Sequence, residues 1–303
     1  MTNIFAIVGP TGIGKTSLSI KLAKKLNSEI IGLDSRQIYK MIPIGTAKPS
    51  AKDLSINKHH LIGTKDLHET VSAGEFMQLV DQRIVTILEK NKTPIICGGT
   101  GLYLKSLVEG IFIGSKTDAK IRTYLEKEYD NGNSDNLYKE LVSIDPIYSK
   151  KVHPNNKRRL IRALEIYKIT GKNMTENFKS NNKKSAFHDR INTVYLRMPR
   201  KSLELIIHKR TLSMIEEGMI GEVQYLKDHN YNIDHIDYIG YSEISSYLDK
   251  KISLEDVIEK IHIRTRQYAK RQMKWFDNQS FDHVFDIDNT SVNDIVDKLV
   301  EIS

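Results

Sequence analysis

The segment GPTGIGKT, from Gly9 to Thr16, constrains the fold most, because it matches the phosphate-loop pattern GxxxxGK[ST]. The apolar run IFAIV precedes it, and a helical pattern follows from Thr16 to Leu26. In such a strand–loop–helix unit, successive backbone N–H groups form an anion-binding nest at a helix N-terminus. The predicted phosphate site comprises Gly9, Pro10, Thr11, Gly12, Ile13, Gly14, Lys15 and Thr16, with Lys15 as a cation and Thr16 as a hydroxyl ligand for Mg²⁺.

Strand and helix patterns alternate through the first third of the chain. Apolar runs at 29–33 and 94–97 predict two further strands, which lead into Asp34 and Gly98, and helical periodicity returns around Glu75–Lys90 between them. This alternation is typical of a parallel sheet flanked by helices, in which ligands bind at the carboxyl ends of the strands. We therefore expect an α/β fold with the phosphate loop and Asp34 at one edge of the sheet.

The pattern changes in the middle of the chain. From about Ser115 to Arg190 there is no convincing strand, only charged helical stretches separated by turns rich in Asn, Gly and Pro. The run TVYLRM at 193–198 predicts a return to the sheet. We expect a P-loop-containing core made of 1–114 and 190–303, interrupted by a mainly helical insertion domain at 115–189.

Positive charge is concentrated in that insertion. The formal net charge is +8, but Lys150–Arg200 holds 14 Lys and Arg against 3 Asp and Glu, an excess of +11 that leaves −3 for the rest of the chain. Such a block is typical of a polyanion-binding surface, although charge alone is equally consistent with a solvated helical face.

Other composition signals exclude several classes. The lone cysteine, Cys97, excludes a disulfide framework and a cysteine-rich zinc module within this sequence. The adjacent His59 and His60 are poorly spaced for one metal ion. No apolar run approaches the ~20 residues that span a bilayer. We expect a cytoplasmic monomer with no membrane segment.

Asp34 is the one acid that directly follows a predicted strand. Phosphate-loop NTPases usually carry an aspartate at the end of a second strand to help hold Mg²⁺, but here the third strand ends in Gly98 and Gly99. Asp34 could orient a metal ion, accept a proton from a nucleophile, or simply cap the following turn.

An ordered series of motifs extends nearly end to end and resembles the bacterial tRNA dimethylallyltransferases, also called tRNA isopentenyltransferases. The motifs are GPTGIGKT (9–16), DSRQIY (34–39), GTAKP (45–49), HHL (59–61), GGTGLY (98–103), HPNNKRRLIRALE (153–165), IGYSE (239–243) and RTRQYAKRQMKWF (264–276). The resemblance implies a fold similar to phosphate-loop kinases. It also implies transfer of a dimethylallyl group from dimethylallyl diphosphate to N6 of the adenosine 3′ of the anticodon in tRNA.

The resemblance also implies roles at the reaction centre. Asp34 would be the base that accepts the N6 proton, Thr100 would lie near the reacting atoms, and Arg210 in HKRTLSM would contact the diphosphate, with Mg²⁺ as cofactor. The sequence departs from the family pattern at Ile206, often an arginine, and at Gly63, usually an acid.

Contacts with the anticodon stem-loop are expected from basic and polar side chains. The final helix pattern places Arg266 and Lys270 on one stripe, and Arg264, Tyr268, Arg271 and Trp275 on another, an arrangement suited to phosphate contact and stacking. The predicted tRNA-binding residues are Asp34, Ser35, Arg36, Gln37, Thr100, Arg158, Arg159, Arg162, Arg266 and Lys270.

Three alternatives remain open at this point. A phosphate-loop kinase of a nucleotide or small metabolite would be expected to carry the missing strand-terminal acid. A prenyltransferase of free adenine nucleotides would not need the basic insertion. A non-enzymatic RNA-binding protein would not need an intact phosphate loop.

Overall fold

The computed structural model describes residues 3–112, 117–180, 182–233, 236 and 238–303. The chain divides into two compact units, one made of Met1–Val108 with Ala186–Ser303 and the other of Glu109–Ser185. The second unit begins and ends a few residues earlier than the insertion predicted at 115–189.

The first unit contains a parallel six-stranded sheet with the strand order β3-β2-β4-β1-β7-β8. β1 is buried at every position, as expected of an apolar run without alternation in a sheet covered on both faces. The predicted strands β1, β2, β4 and β7 are confirmed, while β3 and β8 were not predicted. Numbered along the whole chain, the strands are β1 Ile4–Val8, β2 Glu29–Gly32, β3 His59–His60, β4 Pro94–Gly98, β5 Ile111–Phe112, β6 Asn182–Lys183, β7 Ile191–Arg197 and β8 His283–Asp286.

Helices of the first unit flank this sheet. Leu18 and Leu22 of the first helix and Ile295 and Leu299 of the last join Phe5 of β1 in one apolar core. The bounds in the first unit are α1 Lys15–Lys25, α2 Ala51–Ile56, α3 Ala73–Leu88, α4 Gly101–Val108, α10 Arg200–Glu216, α11 Met219–Asp228, α12 Tyr241–Leu248, α13 Leu254–Phe276 and α14 Val292–Glu301. In the second unit they are α5 Ala119–Glu128, α6 Ser134–Ile144, α7 Pro146–Ser149, α8 Lys157–Thr170 and α9 Met174–Ser180.

The start of α13 matters because this helix carries site residues. The Ser253 hydroxyl accepts a hydrogen bond from the Asp256 backbone N–H, and the Asp256 carboxylate accepts one from the Ser253 backbone N–H. This capping box satisfies N–H groups that a helix leaves unpaired at its first turn. It fixes the register of the basic stripes further along α13.

The carboxyl ends of β2 and β4 approach each other closely. The Leu33 backbone N–H donates to the Cys97 carbonyl at 2.7 Å, and a Cβ atom on Gly98 would lie 2.0 Å from the Leu33 carbonyl oxygen. No side chain fits at this distance, so only glycine allows the two chain segments to converge. The convergence brings Asp34 and Thr100 to the same edge of the sheet.

A charge cluster occupies the opposite, amino end of the sheet. The buried Glu29 carboxylate accepts hydrogen bonds from His60 at 2.7 Å, Lys90 at 3.2 Å and Lys92 at 3.3 Å. Burial acts to raise the pKa of Glu29, but these hydrogen bonds outweigh it and lower the pKa to about 2. His60 therefore contributes to a salt-bridge cluster, whereas Nδ1 of His59 hydrogen-bonds the Asn57 carbonyl at 2.8 Å. The described residues contain no group of His, Cys, Asp and Glu suited to a metal ion.

The second unit is mainly helical and has its own apolar core, which includes Leu125, Leu141, Leu160 and Leu164. The expectation that this region holds no strand is wrong, since β5 and β6 form a short antiparallel pair. A two-residue strand is too short to show a periodicity that a sequence pattern could reveal. Within the described parts of both units, no helix has the length and apolar character needed to cross a bilayer.

Candidate active site at the carboxyl ends of the strands

The phosphate loop joins β1 to α1. Gly12 and Gly14 have φ of 85° and 90°, in the left-handed region that glycine occupies without strain. The loop leads directly into α1, where Thr16 lies half-buried in the first turn. The strand, glycine loop and helix are arranged as the sequence predicts, and anion binding at this helix N-terminus stays a prediction.

Lys15 is folded back over this loop. Its Nζ donates hydrogen bonds to the carbonyl oxygens of Gly9 at 2.9 Å and Pro10 at 2.7 Å. Burial lowers the pKa of Lys15 to about 8; Cys97 and Asp34 act to raise it, and Arg210 to lower it. Because Lys15 is partly withdrawn from water, its interaction with an incoming anion is stronger than that of an exposed lysine.

Gln272 of α13 ties the phosphate loop to the end of β4, a role that was not predicted from the sequence. Its Oε1 accepts a hydrogen bond from the Thr11 N–H at 2.9 Å, and its Nε2 donates to the Gly99 carbonyl at 2.8 Å. The signal in the sequence was available: Gln272 lies on the same buried stripe of α13 as Ala269 and Phe276. A polar residue on an apolar stripe requires a hydrogen-bonding partner.

Asp34 lies where the chain leaves β2, and it both caps a turn and keeps one oxygen available. Its Oδ1 accepts hydrogen bonds from the N–H groups of Arg36 at 2.8 Å and Gln37 at 3.3 Å. Among the described residues, no hydrogen bond uses Oδ2. Thr100 is adjacent, because its hydroxyl oxygen accepts a hydrogen bond from the Ser35 N–H at 3.1 Å.

Arg210 of α10 faces the same region. Burial lowers the pKa of its guanidinium, whereas the negative charge of Asp34 acts to raise it. Arg210 also lines a cavity of about 640 Å³, together with Lys48, Ile206 and Lys209. The structure therefore brings Lys15, Asp34 and Arg210 within electrostatic reach of one another, and their roles at a reaction centre stay predictions.

The residues after Asp34 are held in defined orientations. The Arg36 guanidinium stacks on the Tyr238 ring, 3.8 Å from its centroid. The Gln37 side chain donates from Nε2 to the carbonyl oxygens of Thr46 at 3.2 Å and Ala47 at 2.9 Å.

The two predicted stripes of α13 differ in their contacts. Arg266 is half-buried and Lys270 is exposed. Arg264 instead forms an ion pair with the buried Glu243, so it already has a protein partner. Tyr268 lies near Asp34: burial raises the pKa of its phenol to about 12, with a further contribution from the Asp34 charge.

The basic residues of α8 belong to the second unit. Arg158 and Arg159 are exposed, and Arg159 donates to the Lys151 carbonyl at 3.4 Å. Arg162 forms an ion pair at 2.9 Å with Glu165, which is fully buried. Arg158 and Arg162 are one helical turn apart on the same face of α8, but Arg162 also has a structural role within its unit.

Taken together, these features define a phosphate-loop protein of the α/β class, in which an aspartate at the end of β2, separated from β1 by β4, lies within electrostatic reach of the loop lysine. A model of the IPP transferase family matches residues 37–279, and the chain belongs to that family. The resemblance inferred from its motifs is thereby confirmed.

Relatives match over nearly the full chain. The chain is 39% identical over 290 residues to the tRNA dimethylallyltransferase of Anoxybacillus flavithermus, covering 95% of this chain and 92% of the relative. It is 38% identical over 302 residues to the tRNA dimethylallyltransferase of Petrotoga mobilis, covering 99% of each.

Solved structures agree with the sequence relatives. The full-length tRNA isopentenylpyrophosphate transferase of Bacillus halodurans superposes with a TM-score of 0.71 at 36% identity, covering 99% of this chain and 96% of that one. A eukaryotic dimethylallyltransferase acting on tRNA superposes with a TM-score of 0.82 at 30% identity, covering all of this chain and 80% of that one.

Proposed function

We propose that this enzyme transfers a dimethylallyl group from dimethylallyl diphosphate to N6 of the adenosine 3′ of the anticodon in tRNA, with release of pyrophosphate. The observation that carries the proposal is that Asp34, at the end of β2, lies within electrostatic reach of the half-buried Lys15 of the phosphate loop. Family membership and the names of the relatives support the same reaction. In this reaction the allylic C–O bond of dimethylallyl diphosphate breaks, a bond forms between that carbon and N6 of the adenosine, and one proton leaves N6.

The diphosphate occupies the loop in this proposal. As the C–O bond breaks, negative charge develops on the leaving group, and fixed donors directed at that charge lower the barrier. The loop N–H groups of Gly12, Ile13 and Gly14, together with Lys15 and Arg210, would supply such donors. Because these cations are partly withdrawn from water, their interaction with the leaving group is stronger than at an exposed surface.

Thr16 is the proposed protein ligand of Mg²⁺. In phosphate loops the Ser or Thr hydroxyl that follows the lysine commonly coordinates Mg²⁺ together with the substrate phosphates. A single hydroxyl in the first turn of α1 fits this donor set, and the described residues offer no acidic cluster that would serve instead. Thr16 would thus help to hold a cation that, when bound, would neutralise part of the diphosphate charge.

Asp34 is the proposed base. Its Oδ1 is committed to the turn, so Oδ2 is the oxygen that accepts the N6 proton. The hydrogen bond between Ser35 and Thr100 fixes the carboxyl ends of two strands relative to each other. The attacking nitrogen is thus held between the carboxylate and the allylic carbon, which is the proximity that the reaction requires.

The polynucleotide contacts are proposed from both units. Ser35, Arg36, Gln37, Arg266 and Lys270 belong to the first unit. Arg158, Arg159 and Arg162 of the second unit supply cations for the phosphate backbone, which makes binding depend steeply on salt. Base-modifying enzymes generally extrude the target base, at a cost that such contacts offset.

The decisive assay incubates the protein with Mg²⁺, dimethylallyl diphosphate and unmodified tRNA, and detects the dimethylallyl nucleoside by mass spectrometry. Wild type is expected to form it, and Asp34→Asn is expected to lose transfer while still binding pyrophosphate. Asp66→Asn is a matched control, because Asp66 forms a half-exposed ion pair with Lys40. ATP turnover onto a small acceptor without a prenylated product would instead support a phosphate-loop kinase.

A further inference from the structure

Two motifs of the sequence, GTAKP at 45–49 and IGYSE at 239–243, have no role in the reaction described so far. The structure joins them through Glu222 of α11. One Glu222 carboxylate oxygen accepts the Ile44 N–H at 2.8 Å, and the other accepts the Gly45 N–H at 3.0 Å. The second oxygen also accepts the Tyr241 hydroxyl at 2.6 Å.

Tyr241 holds the Glu222 carboxylate and packs against Gly45. It is fully buried, and burial together with the negative charge of Glu222 raises the pKa of its phenol, which keeps the hydroxyl as a donor. A Cβ atom on Gly45 would lie 2.5 Å from the Tyr241 hydroxyl oxygen and 2.7 Å from Met219 Cε. The glycine of GTAKP is therefore required by the tyrosine of IGYSE.

The other side of the same loop holds Gln37. Its two amide hydrogens are both used, because Nε2 donates to the carbonyl oxygens of Thr46 and Ala47. A primary amide has only two donors, so the orientation of this side chain is fixed. Oε1 then remains as a hydrogen-bond acceptor in a defined position, three residues after Asp34.

We propose that Glu222 is a positioning residue for the RNA side of the active site. It holds the loop at 44–47 so that Gln37 presents Oε1 to an N–H group of a nucleobase, with Tyr241 fixing the carboxylate. Glu222 touches neither substrate in this proposal. The inference rests on the proposed function, because the nucleobase belongs to the tRNA acceptor.

The test is a double-mutant cycle with Glu222→Ala, Gln37→Ala and the double variant, measuring kcat/KM for tRNA at saturating dimethylallyl diphosphate. In each single variant kcat/KM is expected to fall roughly 10- to 100-fold, because each substitution removes hydrogen bonds that hold the loop or contact the base. The double variant is expected to be no worse than the poorer single one, because both act through one contact.

Further variants separate positioning from folding. Glu222→Gln keeps one acceptor oxygen and is expected to recover part of the activity lost in Glu222→Ala. Pyrophosphate affinity, measured by calorimetry, is expected to be unchanged, because the hydrogen bonds that hold the phosphate loop come from Gln272 and Lys15. Glu216→Ala, an exposed position near the end of α10, is the matched control and is expected to behave as wild type.

Three results would overturn the inference while the proposed function stands, and the first two are wild-type kcat/KM in Glu222→Ala and additive losses in the double variant. An equal loss of pyrophosphate affinity in Glu222→Ala and Glu222→Gln would also overturn it, by showing a general collapse of the site. If wild-type protein forms no dimethylallyl nucleoside, the proposed function fails and this inference fails with it.

Discussion

Replacing Gln272 by methionine is expected to weaken both the fold and the phosphate site. Methionine keeps the length of the side chain but removes the hydrogen bonds to Thr11 and Gly99, of 2.9 Å and 2.8 Å. Gly99 is buried, so its carbonyl would be left unsatisfied, whereas Thr11 is half-buried and its N–H can reach water. The structural consequences at the two ends of the side chain are therefore unequal.

The magnitude follows from that difference. An unsatisfied buried carbonyl costs about 2 kcal/mol and the second lost hydrogen bond about 1 kcal/mol, a total of about 3 kcal/mol. For a unit of this size that corresponds to a fall of about 6–12 °C in Tm. Pyrophosphate affinity is expected to fall about tenfold, because the loop no longer has its conformation fixed before the ligand binds.

Differential scanning calorimetry and isothermal titration with pyrophosphate measure the two effects. Gln267→Met is the matched control, since Gln267 lies on the exposed face of the same helix. Gln272→Glu is expected to bind pyrophosphate more weakly than Gln272→Met, because it adds a negative charge beside the anion site and an oxygen facing the Gly99 carbonyl. A Gln272→Met protein that melts and binds pyrophosphate as wild type does would refute the reasoning.

Three other outcomes follow from the structure. With a Lys15 pKa of about 8 in the free protein, pyrophosphate affinity is expected to fall as pH rises above 8, and Lys15→Met is expected to lack that component. Gly45→Ala is expected to lower stability by about 1–3 kcal/mol through overpacking against Tyr241, as measured by urea denaturation. Glu29→Gln is expected to be less stable than wild type above pH 4.5, and the difference is expected to shrink as pH falls toward 2, because the folded-state pKa of Glu29 is depressed to about 2.

Each of these has a control and a contradicting result. The protonation of pyrophosphate itself affects wild type and Lys15→Met equally. Equal pH profiles of pyrophosphate affinity in these two proteins would therefore exclude Lys15 as the titrating group. Gly221→Ala meets no atom within 4 Å and should not destabilise the protein, so equal effects of Gly221→Ala and Gly45→Ala would contradict the steric argument. A Glu29→Gln deficit that is the same at pH 3 and pH 7 would show that charge is not its cause.

The parts of the site that follow from one strand or one loop were predictable. The rule that ligands lie at the carboxyl ends of parallel strands correctly placed Asp34 and Thr100 together, and the glycine pattern correctly placed a loop between β1 and α1. Both inferences need only local sequence and strand order. The proposed chemical roles of these residues rest on the resemblance and await the assays above.

The contacts that join distant segments were not predictable. Glu222 meets Ile44 across 178 residues of chain, and no local pattern links the two. Gln272 was overlooked among the basic residues of α13, although its place on the buried stripe marks it as a bonded polar group. Arg264 was placed on a stripe suited to phosphate contact and stacking, yet it pairs with Glu243, because sequence shows charges but not their partners.

The Glu29 cluster lies at the amino ends of the strands, whereas the phosphate loop and Asp34 lie at the carboxyl ends. Heat tolerance and catalysis can therefore be varied separately in this protein. A Glu29 substitution would yield a conditional allele, active at low temperature with unaltered substrate preference and lost on warming. Such a variant would allow the enzyme to be switched off in a living cell without any change to its chemistry.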